Sequence, residues 1–545
     1  MVASWIPVLT AAFLAPSLRT EAGYSGARWP VSSRPALPAV HLRRAPYHPR
    51  LMTETATAAG DDPLETVLVD AATECPTEDV TSMELLKFIL PTLAGWLSSE
   101  MMSVVDTAVV GSCSAAELAA LGPATMLTDS AAYLFFWLNV ATTSLFATAL
   151  ASGDSNEAYD TLSDALYCAL ACSTVMTLAL FSFGPAALAA ICASAPQVAA
   201  AATTYLNIRL LGLPAFMAGM VLQAACLGAK DSISPLVVLV TCGLLNLGLD
   251  LYLVNVVGMG IGGAAIATLA SQVVQALMLA FVVQRKRRAA GAGTSWLLLR
   301  GGPSWRRISK FLSFAGPIFL VLCGKISCYN AMTLAATAGG IAALAGHQAM
   351  ISIFFVGCKF GDAVSQTSQA FLPACYDYDE STGARPAPPP RAQRLSGRLL
   401  RLSALLGGIV SVLAYAFATR APTVFTRDPA VLGAMSSVAP LLFVALLVHA
   451  VTMTSEGLLL GARQLSFLAK AYAGNVLVFL SGLFLIARRG MGLGAVWRAL
   501  AAFQLVRAAT FALRLRSVGL SFRRRAADDG DEQEDAALSP STQRR

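Results

Sequence analysis

The chain is 545 residues long, and 56% of them are hydrophobic while only 13% carry a charge. Together with a mean hydropathy of +0.63, this excludes an ordinary soluble globular protein, in which about a quarter of the residues are charged. The formal net charge of +7 comes from basic clusters between apolar runs. We interpret these clusters as a solvated belt facing lipid headgroups, and we expect no nucleic-acid partner.

Residues 1–80 have a different composition from the rest of the chain. The first 53 residues contain six arginines, several serines and threonines, and a single acid, Glu21. This composition is typical of a transit peptide, and the alternative is a disordered leader without a targeting signal. We predict that 1–80 is a disordered N-terminal targeting region, and that the mature protein lies in a plastid (chloroplast envelope) membrane.

Twelve apolar runs follow this leader. A hydrocarbon layer about 30 Å thick needs about 20 apolar residues per helix, and helices satisfy every backbone polar group within a single segment. The predicted fold is therefore an all-α polytopic membrane protein with twelve transmembrane helices. The runs are residues 85–109, 119–151, 158–182, 197–227, 234–254, 261–283, 310–336, 341–374, 396–418, 430–460, 468–487 and 492–515.

Lysine and arginine crowd the connections after the sixth, eighth and twelfth runs. By the positive-inside rule, even-numbered connections and both termini lie on the inner face. The predicted organisation is an N-lobe (83–283), a basic inter-lobe loop (284–308), a C-lobe (309–516) with a Pro-rich insert (376–394), and a disordered charged tail (517–545).

The two halves resemble each other. With a shift of 224 positions, LGPATM (121–126) falls on AGHQAM (345–350), and with a shift of 232, GMGIGG (258–263) falls on GMGLGA (490–495). Both halves start from the same membrane side, so the repeat predicts two pseudo-symmetric six-helix lobes related by an axis along the membrane normal. GMGIGG also matches a dinucleotide fingerprint, but it joins two membrane-length runs, and we interpret it as a tight turn.

Acidic side chains within the runs need a compensating role or partner, because a charge at a helix centre costs about 3 kcal/mol. Asp106 and Asp250 lie 16 to 21 residues into the first and fifth runs, at similar predicted depth, and the alternative is that they are interfacial. Asn246 precedes Asp250 by one helical turn on the same face, where its amide can bridge to a carboxylate. Two neighbouring acids in a low dielectric repel each other, so the Asp106–Asp250 pair is predicted to hold and release a proton.

Ordered motifs over most of residues 83–515 resemble one transporter family. They include FILPTLAGWLSSEMMSVVDTAVVG, YLNIRLLGLP, LGAKDSISPL and GHQAM. They look like the multidrug and toxic compound extrusion (MATE) family, in its DinF-like branch, and GPATMLTDSAAYLF looks especially like plant plastid-envelope members. The resemblance implies a cation-coupling site at Asp106, Asn246, Asp250 and Thr268, and a first helix that bends at Pro91.

Glu456 is the one acid well inside the tenth run. Because other branches of the family use acids in the C-lobe, the resemblance makes Glu456 a second candidate site. The alternative is an inner-side salt bridge with Arg463 or Lys470.

The resemblance implies a monomeric secondary antiporter in the lipid bilayer. It would export small organic compounds, either xenobiotics or metabolites such as organic acids, in exchange for H⁺ or Na⁺ by alternating access. The alternatives are a flippase for lipid-linked or other amphipathic metabolites and a membrane enzyme. The four histidines and eleven cysteines show no metal-ligand spacing, so we expect no metal, no cofactor and no catalytic residue.

Overall fold

A computed structural model describes residues 80–113, 115–192, 196–291, 305–337, 339–376, 388–424 and 428–520. Throughout these ranges every regular element is a helix. Apart from residue 80 and residues 517–520, the expected targeting region (1–80) and the expected charged tail (517–545) lie outside them, so both remain predictions.

Six long helices make up the first half. They are α1 (Ser82–Cys113), α2 (Ala115–Leu134, continuing after Phe135 as Phe136–Ala151), α3 (Ser155–Ile191), α4 (Pro196–Gly228), α5 (Ile233–Asp250) and α6 (Gly260–Ala289). A π-helix, Leu251–Val256, extends α5.

Six more long helices make up the second half. They are α7 (Trp305–Thr337), α8 (Gly340–Phe371), α9 (Pro390–Arg420), α10 (Pro429–Gly461), α11 (Leu465–Arg488) and α12 (Gly492–Ser517). Short 3₁₀ turns follow α8 and α9, at Pro373–Cys375 and Pro422–Val424.

These helices match the twelve predicted runs. Within the described residues, eleven spans are long and apolar enough to cross a membrane, and α1, with 32 residues, supplies the twelfth helix of this length. Some helices are longer than the apolar runs, since α7 begins at Trp305, inside the expected inter-lobe loop, and α9 begins at Pro390, inside the expected Pro-rich insert. Polar and basic residues can continue a helix beyond the hydrocarbon layer, where hydropathy no longer marks its end.

The helix pairs of the first half recur in the second. Helix α1 packs on α5, α2 on α4, and α4 on α6, and the same is true of α7 on α11, α8 on α10, and α10 on α12. Each half has prolines inside its first and fourth helices, at Pro91 and Pro214 and again at Pro317 and Pro440. Since proline removes a helical hydrogen bond and bends the helix, equivalent helices carry equivalent bending points.

The backbone repeats as well. Gly258 and Gly260 have φ values of 75° and 55°, and Gly490 and Gly492 have 60° and 75°. These left-handed conformations favour glycine, which confirms that GMGIGG and GMGLGA form turns.

Two hydrophobic clusters organise the interior. One combines, from both lobes, the helix halves that the positive-inside rule assigns to the inner face, whereas the other contains only C-lobe residues from the opposite helix halves. Aromatic pairs join the lobes in the inner half, with ring centroids 5.3 Å apart for Phe88 and Phe371 and 6.4 Å apart for Trp137 and Phe311. We call these inner-half contacts between the lobes the inner seal.

Candidate functional site

A polar pair lies at the end of α5. Asn246 donates a hydrogen bond from Nδ2 to Oδ2 of Asp250 over 2.8 Å, and the two residues are only 1% and 0% exposed. Their spacing of four residues places them on one helical face. The predicted pairing of this amide with this carboxylate is confirmed.

A change of helix type follows at once. Asp250 is the last residue of the α-helix, and Leu251–Val256 is wound as a π-helix. Short π segments within helices are frequent at functional sites because they change the direction of the side chains on either side. Hydrophobic periodicity did not reveal this segment, since all but one of its six residues are apolar or aromatic.

Helices α1 and α6 both pack against α5. A Cβ atom on Gly95 of α1 would lie 3.1 Å from Leu239 of α5, so these two helices approach closely. Thr268 of α6 is 8% exposed and donates from Oγ1 to the Ala264 carbonyl over 3.0 Å. Pro91 lies inside α1, as expected.

Asp106 lies on α1, but its side chain is outside the described part of the structure. The structure therefore brings Asn246 and Asp250 together and places the helix of Thr268 beside them. A role for Asp106, and the assignment of the four residues to cation coupling, remain predictions.

A second polar cluster lies in the C-lobe around Glu456, which is 5% exposed. Its Oε1 is 2.9 Å from Nζ of Lys325, and its Oε2 is 3.1 Å from a guanidinium nitrogen of Arg507. Tyr472 also donates from its hydroxyl to Oε2 of Glu456. Four helices, α7, α10, α11 and α12, thus contribute one side chain each, which we call the Glu456 cluster.

Further contacts hold Arg507 in place. It donates to Oε1 of Gln504 over 2.8 Å, and Nε2 of Gln504 lies 2.9 Å from Nδ1 of His449. The guanidinium carbon is 4.9 Å from the centroid of the Tyr472 ring. A buried guanidinium needs such partners because desolvation disfavours its charge.

Glu456 therefore forms salt bridges with Lys325 and Arg507 rather than with Arg463 or Lys470, the partners considered from the sequence. Arg463 and Lys470 lie near Glu456 in the chain, whereas its actual partners are more than 50 positions away. A signal for the partners of Glu456 was present in the sequence, since both Lys325 and Arg507 are basic residues within apolar runs and each needs a partner there. Sequence reasoning also missed Asp362 of α8, which lines the cavity between the two halves.

A cavity lies between the two halves, and the empty space in it, together with its opening to solvent, is about 720 Å³. Helices α1 and α2 contribute aromatic side chains to its wall, and α7, α8 and α10 contribute charged ones. The aromatic residues are Trp96, Tyr133 and Phe136, and the charged residues are Lys325, Asp362 and Glu456.

A polar contact between the lobes lines the same cavity. Gln366 of α8 donates from Nε2 to Oδ1 of Asn139 on α2 over 3.1 Å, and both side chains line the cavity. Asn139 in turn donates to the Met220 carbonyl on α4 over 3.4 Å. The Gln366–Asn139 bond joins the lobes directly, as the aromatic contacts of the inner seal do.

Across the described residues, no group of three or more histidine, cysteine, aspartate or glutamate side chains is arranged to hold a metal ion. The polar and aromatic groups that line the cavity include carboxylates, an ammonium group, amides and aromatic rings.

Comparison with known proteins agrees with this architecture. The MatE family profile matches residues 91–252. The chain is similar to the Arabidopsis thaliana protein DETOXIFICATION 47, chloroplastic, with 34% identity over 437 residues, covering 80% of this chain and 78% of the relative. It is also 30% identical over 451 residues to DETOXIFICATION 44, chloroplastic, of the same plant, covering 79% and 82%.

Solved structures show the same fold. A crystal structure of MATE in the bent conformation superposes with a TM-score of 0.70 and 18% identity, covering 83% of this chain and 98% of that one. The match extends over both six-helix halves of this chain.

Proposed function

Because this chain belongs to the multidrug and toxic compound extrusion (MATE) family of efflux transporters, we propose that it exports small organic compounds in exchange for protons by alternating access. The single observation that carries this proposal is the buried Asn246–Asp250 pair beside a helix that also borders the central cavity. Helix α1 packs on α5 and contributes Trp96 to the cavity wall.

The cavity is where we place the exported compound. Aromatic and aliphatic side chains cover most of its wall, and a few charged and amide groups provide orientation. This combination suits amphipathic organic molecules. The inner seal, including the Gln366–Asn139 bond, closes the cavity toward the inner face while the compound leaves on the outer side.

Asp250 is where we place the proton. A buried carboxylate is costly when charged and less costly when neutral, so its protonation changes the balance of forces between α5 and its neighbours. Protonation of Asp250 together with Asp106 would let α1 bend near Pro91 and narrow the cavity. Release of the proton to the inner side would then reset the site. The binding of proton and compound would thus be mutually exclusive.

The location follows from the leader and the relatives. The first 53 residues resemble a transit peptide in composition, and two relatives carry the word chloroplastic in their names. We place the protein in the plastid envelope. The proposed exchange needs no chemical conversion of the compound and no cofactor.

The test uses purified protein in liposomes with an acidic lumen. We expect labelled benzenesulfonate or phenyltrimethylammonium to accumulate inside as protons leave, and the accumulation to stop when nigericin removes the pH gradient. An equal Na⁺ gradient without a pH difference is expected to drive no uptake. Uptake driven by Na⁺ alone, or no gradient-dependent uptake of either compound, would contradict proton exchange.

A further inference from the structure

Lys325 and Arg507 are the two cations of the Glu456 cluster, and they differ in their exposure to the cavity. Lys325 lines the central cavity, and its side chain is 11% exposed, against 1% for Arg507. An ammonium group at a cavity wall within a membrane is available to a ligand, whereas the buried guanidinium is not.

The two oxygens of Glu456 are used differently. Oε1 faces Lys325, while Oε2 receives both Arg507 and the Tyr472 hydroxyl. If Lys325 turned to another anion, Glu456 would lose one partner and retain two. The carboxylate therefore stays compensated in the interior without Lys325.

From this geometry we propose that Lys325 binds the anionic group of an organic anion, and that Glu456 is the internal counter-ion that this ligand displaces. The inference rests on the proposed function in one respect, since it takes the central cavity to be the substrate site. It adds the charge of the substrate and the residue that recognises it.

An organic cation fits the same wall less well. To reach Glu456 it would have to remove Lys325 and leave an ammonium group inside the protein without its carboxylate, which is costly. An incoming anion instead replaces one carboxylate with another on the same ammonium. The exchange leaves every charged group in the cluster paired.

Asp362 acts in the opposite direction. It lines the same cavity and is partly exposed, so its negative charge repels an anion and attracts a cation. This opposition makes Asp362 useful as a test, because its removal must change anion and cation binding with opposite signs.

The aromatic wall defines the rest of the ligand. The Trp96 and Phe136 ring centroids are 5.4 Å apart, and the Tyr133 and Phe136 rings are stacked at 5.8 Å with an interplanar angle of 7°. The ammonium nitrogen of Lys359, on α8, lies 5.3 Å from the centroid of the Trp96 ring. These rings offer faces and edges to an aromatic ligand, so the substrate class is a small aromatic carboxylate or sulfonate.

Equilibrium binding to the purified, full-length protein tests this without requiring transport. The probes are labelled benzenesulfonate and phenyltrimethylammonium, which have one ring each and keep opposite charges at any working pH. Lys325→Gln is expected to weaken benzenesulfonate binding by about tenfold or more, as loss of a charge-assisted hydrogen bond does. Lys325→Arg is expected to restore binding to within about threefold of the natural protein, since it keeps the charge.

Removal of an acid should have the opposite effect. Asp362→Asn and Glu456→Gln are each expected to tighten benzenesulfonate binding by about threefold to tenfold and not to tighten phenyltrimethylammonium binding. Lys470→Gln, at an exposed lysine of α11, is the matched control and should bind like the natural protein. If Glu456→Gln does not fold, Asp362→Asn gives the same sign from another helix.

The outcomes separate the two proposals. Benzenesulfonate binding that depends on Lys325, without any uptake driven by a pH gradient, would support the anion site and contradict the proposed proton exchange. Gradient-driven transport with anion binding that is unchanged in Lys325→Gln would leave proton exchange standing and overturn the anion site. Binding of the cation alone, or tighter cation binding in Asp362→Asn, would also overturn it.

Discussion

Asn246 donates a 2.8 Å hydrogen bond to Asp250 at the point where α5 changes from an α-helix to a π-helix. Both residues are buried, and the amide lies one turn before the carboxylate. The amide therefore orients the carboxylate. Asp250 is also the last residue of α5 with the regular hydrogen-bonding pattern of an α-helix. A proton site needs such a fixed geometry.

Asn246→Ala should reduce transport driven by a pH gradient by about tenfold, because a buried hydrogen bond to a charged group is worth about 1.5–3 kcal/mol. The initial uptake rate in liposomes at a fixed pH gradient measures this. Thr241→Ala, on an exposed face of the same helix, is the control and should transport normally. Equal rates for the two variants would show that the amide does not position Asp250.

Gly457 lies at a close approach between α10 and α8. A Cβ atom there would lie 2.8 Å from Cα and 2.7 Å from Oγ of Ser365. Gly457→Ala should therefore destabilise the protein by about 1–3 kcal/mol through overpacking, seen as a lower Tm of the purified protein.

Gly433 provides a matched control on the same helix. A Cβ atom there meets nothing within 4 Å, so Gly433→Ala should leave the Tm unchanged or raise it, since alanine favours a helix over glycine by about 0.5–1 kcal/mol. The same change of Tm in both variants would contradict the close approach of α8 and α10.

Gln366→Ala should loosen the inner seal, because it removes the hydrogen bond to Asn139 across the two lobes. A net loss of about 1 kcal/mol corresponds to about a fivefold change in the population of the opened state. Hydrogen–deuterium exchange should accordingly rise in residues 136–151 and 361–371. Gln348→Ala, on the exposed face of α8, should not change exchange there, and equal protection in both variants would place closure elsewhere.

The sequence was sufficient for the architecture. Twelve apolar runs predicted twelve helices, because hydrocarbon thickness fixes the length of a span. The repeat predicted two lobes, and its turn glycines recur with positive φ at Gly258, Gly260, Gly490 and Gly492. Asn246 and Asp250 were predicted to pair because both lie on one helix, where spacing alone decides which side chains meet.

Contacts between helices were harder to predict. Glu456 meets Lys325 and Arg507 across three helices, and no helical period relates these positions. The partners proposed for Glu456 were instead its neighbours in the chain. The π-helix after Asp250 was also missed, because its composition does not differ from that of a regular transmembrane helix.

The most direct test of the account replaces Asp250 by asparagine, which keeps the size and removes the titrating group. In liposomes, Asp250→Asn should lose uptake driven by a pH gradient by about tenfold or more, and acidification should no longer weaken its substrate binding, because the neutral amide replaces the carboxylate that takes up the proton. Asp428→Asn, at the exposed start of α10, should retain both. Undiminished gradient-driven uptake by Asp250→Asn would contradict the claim that Asp250 carries the proton.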